Sequence, residues 1–278
     1  MSANPLKQYF RQPAVFIRLP SNGQHWPKNS INMPANGELP VMAMTTMDEI
    51  TYRTPDALFN GNAVVSVIQS CIPNILDAWQ IPNTDLDTIL IAIRIATYGH
   101  TIDVSSVCPA CSTENDYGVD LRNIMDRVKA PDYSRGFKLG DLEIWFKPMT
   151  YQEVNANNLL QFEDQKTLQM IQSGEMSDED RLKTMGEMLK KLTAITTQAL
   201  CQSIAVIRTP TAQVDENQHI QEWLSNCDRH TFNQVRDHVV ELRKASELQP
   251  LHVKCTNCNH EYDQQFTLDM TTFFADAS

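Results

Sequence analysis

The chain has 278 residues, of which 42% are apolar and 21% charged, and its formal net charge is −11 at pH 7. This length can bury a core without help from a metal, and the acidic balance disfavours a general nucleic-acid binder, because the protein's field repels phosphates. No run approaches the roughly 20 apolar residues of a membrane span and the start lacks the apolar stretch of a signal peptide, so we expect the protein to stay where it is translated.

The first 44 residues carry six spaced prolines, which permit short extended pieces but no sustained helix. We predict strands over 14–19 and 38–42. A hydroxyl cap followed by acids, Thr45-Thr46-Met47-Asp48-Glu49, then predicts a helix over about 46–52. Further helices are predicted at Thr54-Pro55-Asp56-Ala57-Leu58, with proline at the first helical position, and over 63–72 after Asn60-Gly61.

The most apolar helix of the chain is predicted over Leu86–Tyr98. Thr84, with the acids of Asp85-Leu86-Asp87, is interpreted as its cap, and Gly99 as its end. Apolar residues occupy every face of this helix, so we expect it to be buried. Arg94 interrupts the run and leaves two readings open: an exposed or snorkelling side chain, or a charge paired with Asp48 or Glu49.

The second half of the chain alternates hairpin, helix and strand signals. The segment Phe137–Phe146 alternates around Gly140-Asp141 and predicts a two-residue hairpin. Two long helices follow, one capped by Thr150 and one by Ser177, and we expect them to pair. Strands at 203–208 and 212–215 then precede helices near 217–226 and 230–246, the last with an apolar stripe at Phe232, Val235, Val239 and Leu242.

A short repeat carries the chemistry. Val107–Leu121 and Lys254–Leu268 align beyond their Cys-x-x-Cys pairs, with acids and apolar residues at matching positions. Each copy predicts an incoming strand, a tight turn and an outgoing strand, which is half of a zinc ribbon. The sequence therefore predicts one structural Zn²⁺ held by four thiolates: Cys108, Cys111, Cys255 and Cys258. A closed tetrahedral shell leaves no position for water.

The separation of the two knuckles is not an objection to a shared site. Closing the 143 residues between Cys111 and Cys255 costs only about 2 kcal/mol more than closing 15 residues. Structural zinc binds small peptides with an apparent ~10–16 kcal/mol. Three other readings stay open: a thioredoxin-like redox pair, two unrelated pairs of buried thiols, and a site completed by His260 in place of one thiolate.

The sequence contains none of the standard catalytic motifs. The chain has no Gly-x-Gly-x-x-Gly, phosphate-cradling loop, His-Glu-x-x-His or Gly-x-Ser-x-Gly. Its seven histidines are scattered, and its acid runs sit where helix caps favour them. We therefore expect a protein that is not an enzyme and has no catalytic residues.

Four sequence blocks are distinctive in their order and spacing: Met44-Thr-Thr-Met-Asp-Glu49, Thr54-Pro-Asp-Ala-Leu-Phe-Asn-Gly61, Ile93-Arg-Ile-Ala-Thr-Tyr-Gly99 and Cys108-Pro-Ala-Cys111. In that order and spacing they resemble the baseplate hub assembly proteins of contractile-tailed phages related to T4. The resemblance covers roughly residues 16–121, with Leu19-Pro-Ser-Asn-Gly23 as its opening element, and is loose over 122–250. It implies a viral structural or assembly protein, without catalysis, made in the host cytoplasm and present there or in the virion tail baseplate.

We therefore expect an α+β protein, mostly helical, with short antiparallel strands and a zinc-ribbon-like unit made of two distant knuckles. The expected segments are 1–44 (extended), 45–98 (helical core), 99–121 (knuckle 1), 122–250 (inserted hairpin and helices) and 251–278 (knuckle 2). The expected partners are other phage baseplate hub and tail proteins, bound through the helices at 150–171 and 177–200, which carry Met170, Met176, Met185 and Met188. The alternatives are a zinc-ribbon nucleic-acid adaptor, which needs a basic face beside the knuckles, and a metal-dependent hydrolase, which needs an open coordination position.

Overall fold

The computed structural model describes residues 4–54, 60–172 and 178–268. Within them the protein is mostly helical with short antiparallel strands, which confirms the predicted α+β class. The chain separates into two compact units. The second unit, Pro131–Ala245, is an insertion in the sequence of the first. The first unit is therefore made of two chain segments, one that ends at Ala130 and one that begins at Ser246. The finer five-segment division stays a prediction.

The first unit contains four α-helices and three antiparallel strand pairs among its described residues. The helices are α1 (Thr46–Tyr52), α2 (Asn62–Cys71), α3 (Asn83–Tyr98) and α4 (Leu121–Met125), with 3-10 turns at Pro5–Tyr9 and Ala78–Gln80. The strand pairs are β1 (Pro13–Ile17) with β2 (Leu39–Met42), β3 (Thr101–Val107) with β4 (Glu114–Asp120), and β9 (Leu251–Lys254) with β10 (Glu261–Gln264).

The start of α1 follows the local chemistry of its sequence. The Thr45 side chain accepts from the Asp48 backbone N–H, and the Asp48 carboxylate accepts from the Thr45 backbone N–H, which forms a capping box. The predicted helix over 46–52 and the strands near 14–19 and 38–42 are confirmed. The helix predicted at Thr54-Pro55-Asp56-Ala57-Leu58 lies outside the described residues beyond Thr54.

Helix α3 is the centre of the first unit's core, as its apolar sequence predicts. Ile89, Leu90, Ile91, Ala92 and Ile93 are buried, and the helix packs against β1, β2, α2 and α4. Burial of consecutive residues around the whole helix requires neighbours on every side. The helix ends at Gly99, as predicted.

The predicted cap of α3 is wrong. The helix begins at Asn83 after Pro82, so Thr84 lies inside the first turn and provides no cap. Asp85 is fully buried and binds a distant loop: it accepts hydrogen bonds from the Ser21 backbone N–H (2.9 Å) and Trp26 Nε1 (2.8 Å). Burial raises the pKa of Asp85, and these hydrogen bonds oppose the rise.

The exposed reading of Arg94 is also wrong. Arg94 is only 3% exposed, and its guanidinium lies over the Tyr98 ring at 5.5 Å from the centroid. Asp48, one of the two partners considered, pairs instead with Arg11 at 3.1 Å. The Tyr98 hydroxyl donates to Glu49 at 3.2 Å, so the C-terminal end of α3 is joined to α1 by polar contacts.

The second unit is a four-stranded antiparallel sheet with helices. The elements are β5 (Phe137–Leu139), β6 (Leu142–Phe146), α5 (Tyr151–Gln172), α6 (Asp178–Ser203), β7 (Ile204–Arg208), β8 (Gln213–Val214), α7 (Asn217–Asn226) and α8 (Arg229–Ser246), with strand order β5-β6-β7-β8. The predicted hairpin, strands and helices are confirmed, and α5 contacts α6 as expected. Thr150 and Glu153 form the predicted cap of α5, whereas Ser177 lies outside the described residues.

The core of the second unit is apolar. Its buried side chains come from β6, β7 and three helices: Ile144, Phe146, Leu200, Cys201, Ile204, Ile207, Ile220, Leu224 and Val235. The predicted stripe of α8 packs against this cluster through Phe232, Val239 and Leu242. This unit is therefore held together by ordinary hydrophobic burial.

Candidate metal centre

The four predicted ligands lie in two turns of the same geometry. In knuckle 1, the turn between β3 and β4, Cys108 N donates to Thr113 O and Ser112 N to Cys108 O, both at 2.9 Å. In knuckle 2, the turn between β9 and β10, Cys255 N donates to His260 O at 2.9 Å and Asn259 N to Cys255 O at 3.0 Å. The sequence repeat therefore corresponds to a structural repeat.

Each knuckle contains one residue in the left-handed region directly after its second cysteine. Ser112 and Asn259 both have φ 57°. In this conformation the chain turns back towards the second strand of its hairpin. It is strained for serine and better tolerated by asparagine.

The structure brings all four cysteines together. Cys108 Sγ lies 3.7 Å from Cys258 Sγ, Cys111 Sγ lies 3.6 Å from Cys255 Sγ, and all four sulfurs lie within 4.8 Å of one another. A tetrahedron with metal–sulfur bonds of about 2.3 Å has edges of about 3.8 Å, whereas a disulfide bond is about 2.05 Å long. The four cysteines therefore could bind one metal ion, and the reading as two unrelated thiol pairs is wrong.

The centre has a buried side and an exposed side. Cys108 and Cys255 are 1% and 0% exposed, Cys111 is half-buried and Cys258 is exposed. The first cysteine of each knuckle therefore lies inside the ribbon and the second lies towards its surface.

Electrostatics favour a cation at this point. Hydrogen bonds from the Thr113 side chain and backbone lower the pKa of Cys111 to about 6, and the Cys258 backbone N–H contributes most to lowering the pKa of Cys255. The backbone N–H of His260 lowers the pKa of Cys258, but the neighbouring thiols, Cys111 first, raise it to about 12. The pKa is thus lowered at Cys111 and Cys255 and raised at Cys258, and a bound divalent ion would favour ionisation of all four thiols.

Neither of the other two sequence readings of the cysteines fits the geometry. Cys108 and Cys255 each follow a strand and precede a second strand, whereas a thioredoxin-like pair begins a helix. His260 is not part of the converging group: its ring stacks on Tyr262 at a centroid distance of 6.1 Å, and its backbone oxygen accepts from Cys255.

Polar side chains join the two hairpins beyond the cysteines, and sequence reasoning missed them. The Tyr262 hydroxyl lies 3.0 Å from Ser106 Oγ, and the Tyr117 hydroxyl donates to Lys254 O at 3.0 Å. Asn115, only 4% exposed, donates to Cys255 Sγ at 3.6 Å. Ser106 precedes the aligned repeat, and Asn115, Tyr117 and Tyr262 lie within it but have no matching residue in the other copy, so the alignment gave no signal for them.

The charges beside the knuckles do not favour the nucleic-acid alternative. Glu114, Asp116, Glu261 and Asp263 are exposed on the ribbon strands, and Lys254 Nζ lies 3.7 Å from Glu261. A phosphate-binding face requires an excess of basic side chains.

The methionines expected at a partner surface have different environments. Met185 on α6 is 48% exposed, with Leu189 one turn later at 58%, whereas Met188 is buried at 6%. The side chains of Met170 and Met176 lie outside the described part of the structure. In the described ranges, no helix combines the length and apolar character needed to cross a membrane.

The chain matches a known protein family. A family model described as T4 bacteriophage base plate protein matches residues 30–275. No curated protein and no solved structure matches the chain. The matched range contains both knuckles and the whole second unit.

Proposed function

The chain belongs to the T4 bacteriophage base plate protein family, and from that premise we propose that it acts in assembly of the baseplate hub of a contractile phage tail. Its role is structural, carried out through protein–protein contacts with other hub and tail proteins. It is not an enzyme in this proposal. The observation that carries it is the family match over residues 30–275.

A structural Zn²⁺ bound by Cys108, Cys111, Cys255 and Cys258 is the second part of the proposal. Its support is the convergence of four sulfurs within 4.8 Å of one another, with the Cys108–Cys258 and Cys111–Cys255 pairs at tetrahedral edge distances of 3.7 and 3.6 Å. Thiolate donors also suit zinc. Four thiolates complete the coordination shell. Hydrolysis at this centre is therefore not expected, because no position remains for a water molecule.

The helix pair α5–α6 is the candidate contact surface for a hub partner. Met185 and Leu189 lie one turn apart on α6 and both expose about half of their surface. Exposed apolar side chains on one helix face are typical of contact surfaces between proteins. Met188, which is buried, belongs to the packing of the second unit instead.

The assembly role is tested in the phage that encodes the protein. A nonsense mutation in the gene should block formation of complete baseplates, and a plasmid copy should restore them, as seen by electron microscopy of lysates. Quantitative mass spectrometry of purified virions then separates a retained hub component from an assembly factor that leaves. Normal tails in the absence of the protein would refute the assembly role.

The zinc site is tested by metal analysis of the purified protein. We expect about one equivalent of zinc per chain and its loss in Cys255→Ser. Cys227→Ser is the matched control, because Cys227 belongs to the second unit and is not one of the four converging cysteines. Less than about half an equivalent of metal in the native protein, or unchanged metal in Cys255→Ser, would refute the site.

A further inference from the structure

Two asparagines cross between the knuckles and donate to sulfur on the opposite side. Asn115, on β4 after knuckle 1, donates through Nδ2 to Cys255 Sγ at 3.6 Å. Asn257, inside knuckle 2, donates through Nδ2 to Cys111 Sγ at 3.8 Å. Each half of the ribbon therefore supplies one amide to a cysteine of the other half.

Each asparagine is fixed by a threonine. Asn115 Oδ1 accepts from Thr256 N (2.9 Å) and Thr256 Oγ1 (2.7 Å), while its Nδ2 also donates to Thr113 O (2.9 Å). This buried amide thus uses both its donors and both its acceptor positions. Asn257 Nδ2 also donates to Thr113 Oγ1 at 3.1 Å.

Both amides are directed at the same edge of the sulfur tetrahedron. Cys111 and Cys255 are the pair 3.6 Å apart, and each receives one amide N–H. Hydrogen bonds to a thiolate disperse its charge and fix its direction, so they reduce repulsion between neighbouring sulfurs and orient them for a metal. The described hydrogen bonds include no side-chain amide donor to Cys108 or Cys258.

We propose that Asn115 and Asn257 are positioning residues that form a reciprocal clasp around the metal centre, holding the Cys111–Cys255 edge in place for the ion. The clasp rests on the proposed zinc site. It makes the centre asymmetric: the Cys111–Cys255 edge is stabilised from outside the coordination shell, and the Cys108–Cys258 edge, which ends at exposed Cys258, is the edge at which ligand exchange begins.

The test uses Asn257, because it is exposed and its substitution does not open the buried network of Asn115. Asn257→Ala removes the amide, and Asn257→Asp replaces the donor by a charged acceptor. The matched control is Ala110→Asp, because Ala110 occupies the equivalent position of knuckle 1 and is also exposed. This control adds the same charge without removing a hydrogen bond to sulfur.

Two measurements on the full-length protein distinguish the outcomes: zinc affinity by chelator competition, and the sulfur-to-metal charge-transfer band after replacement by Co²⁺. We expect Asn257→Ala to weaken zinc binding about tenfold and to move the band to lower energy, because a thiolate without its N–H donor gives up an electron more easily. Asn257→Asp should weaken binding further, and Ala110→Asp should weaken it less and leave the band in place.

Native affinity and an unchanged band in Asn257→Ala would overturn the clasp while leaving the zinc site intact. An equal loss of affinity in Ala110→Asp and Asn257→Asp would also overturn it, since charge alone would then explain both. A native protein that binds neither Zn²⁺ nor Co²⁺ would instead overturn the metal site, and the clasp with it.

Discussion

The zinc-ribbon-like part of the first unit and the core of the second unit use the same element, the antiparallel hairpin, in two different ways. Hairpin β5–β6 is extended by β7 and β8 into a four-stranded sheet over an apolar core. The hairpins β3–β4 and β9–β10 each stay two-stranded. Several of the residues buried between them are polar or sulfur-containing: Ser106, Cys108, Asn115 and Cys255.

This difference shows what a metal would contribute to the fold. An isolated two-stranded hairpin is marginally stable in water, because it buries too little apolar surface to offset the entropy of ordering its chain. In the second unit, burial of Ile144, Ile204 and their neighbours offsets this entropy. The ribbon hairpins have few such residues, so side-chain hydrogen bonds, together with thiolate–metal bonds if the proposed ion is bound, would take the place of burial.

Metal removal should produce the largest contrast between the two regions. A chelator in excess should lower the opening free energy of amides in β3, β4, β9 and β10 by several kcal/mol, because structural zinc contributes an apparent ~10–16 kcal/mol in small peptides. Amides of β6 and β7 should keep their protection. Hydrogen exchange followed by mass spectrometry measures both, and equal protection of the ribbon with and without chelator would contradict the comparison.

The converse change is a cavity in the second unit. Ile204→Ala should lower the free energy of unfolding by about 2–5 kcal/mol, because the side chain is 1% exposed and its removal leaves a void. Zinc content should not change. Val240→Ala, at a position 40% exposed, is the control and should have a small effect. Denaturant titration together with metal analysis would show whether the free energy of unfolding falls while the zinc content stays constant.

A smaller effect should distinguish the two knuckles. Ser112→Gly should stabilise the metal-bound protein by about 0.5–1 kcal/mol, because glycine adopts φ 57° without the strain that serine has there. Asn259→Gly should stabilise the protein by a smaller amount, since asparagine already tolerates this conformation. Thermal unfolding of both variants provides the measurement, and a loss of stability in Ser112→Gly would show that the side chain has another role.

The smallest expected effect is a pH response of opposite sign in the two regions. Burial lowers the pKa of His238, which stacks on Phe137 in the second unit. Because the folded state disfavours the protonated ring, the contribution of His238 to the free energy of unfolding is complete above pH 6.5 and is lost as pH falls below that value. A hydrogen bond to Asp263 raises the pKa of His252 in the ribbon, so its contribution is complete below pH 6.5 and is lost as pH rises through the raised value.

The free energies of unfolding of His238→Gln and His252→Gln, measured at several pH values between about 5.5 and 8, test these two pH dependences. Relative to the native protein, the first variant should lose least stability at the acidic end, and the second should lose least at the alkaline end. The same trend in both variants would contradict the assigned signs.

Most of the fold was predictable because its signals are local. The cap of α1 depends on Thr45 and Asp48 three residues apart, and the hairpin β5–β6 depends on Gly140-Asp141, where Gly140 has φ 60°. The cysteine site was predictable for a related reason. Each knuckle is a local turn with its own signature, and only the meeting of the two required inference.

The errors concern residues whose partners are far away in the chain. Asp85 was interpreted as a capping acid, but its hydrogen-bond donors are Ser21 and Trp26, more than 50 positions earlier. The crossing amides Asn115 and Asn257 were missed for the same reason, since their targets lie 140 and 146 positions away. Arg94 is a different case, because its ring contact, Tyr98, is only four residues away. For this residue the sequence left an exposed and a paired interpretation open, because it cannot show what covers a side chain.

The insertion of the second unit between the knuckles has a consequence for synthesis on the ribosome. Cys108 and Cys111 emerge early, but Cys255 and Cys258 emerge only after all of Pro131–Ala245 has been translated. A polypeptide that stops before Cys255 therefore holds only half of the ligand set. If the ion is bound as proposed, its coordination distinguishes finished chains from truncated ones before any of them joins a particle.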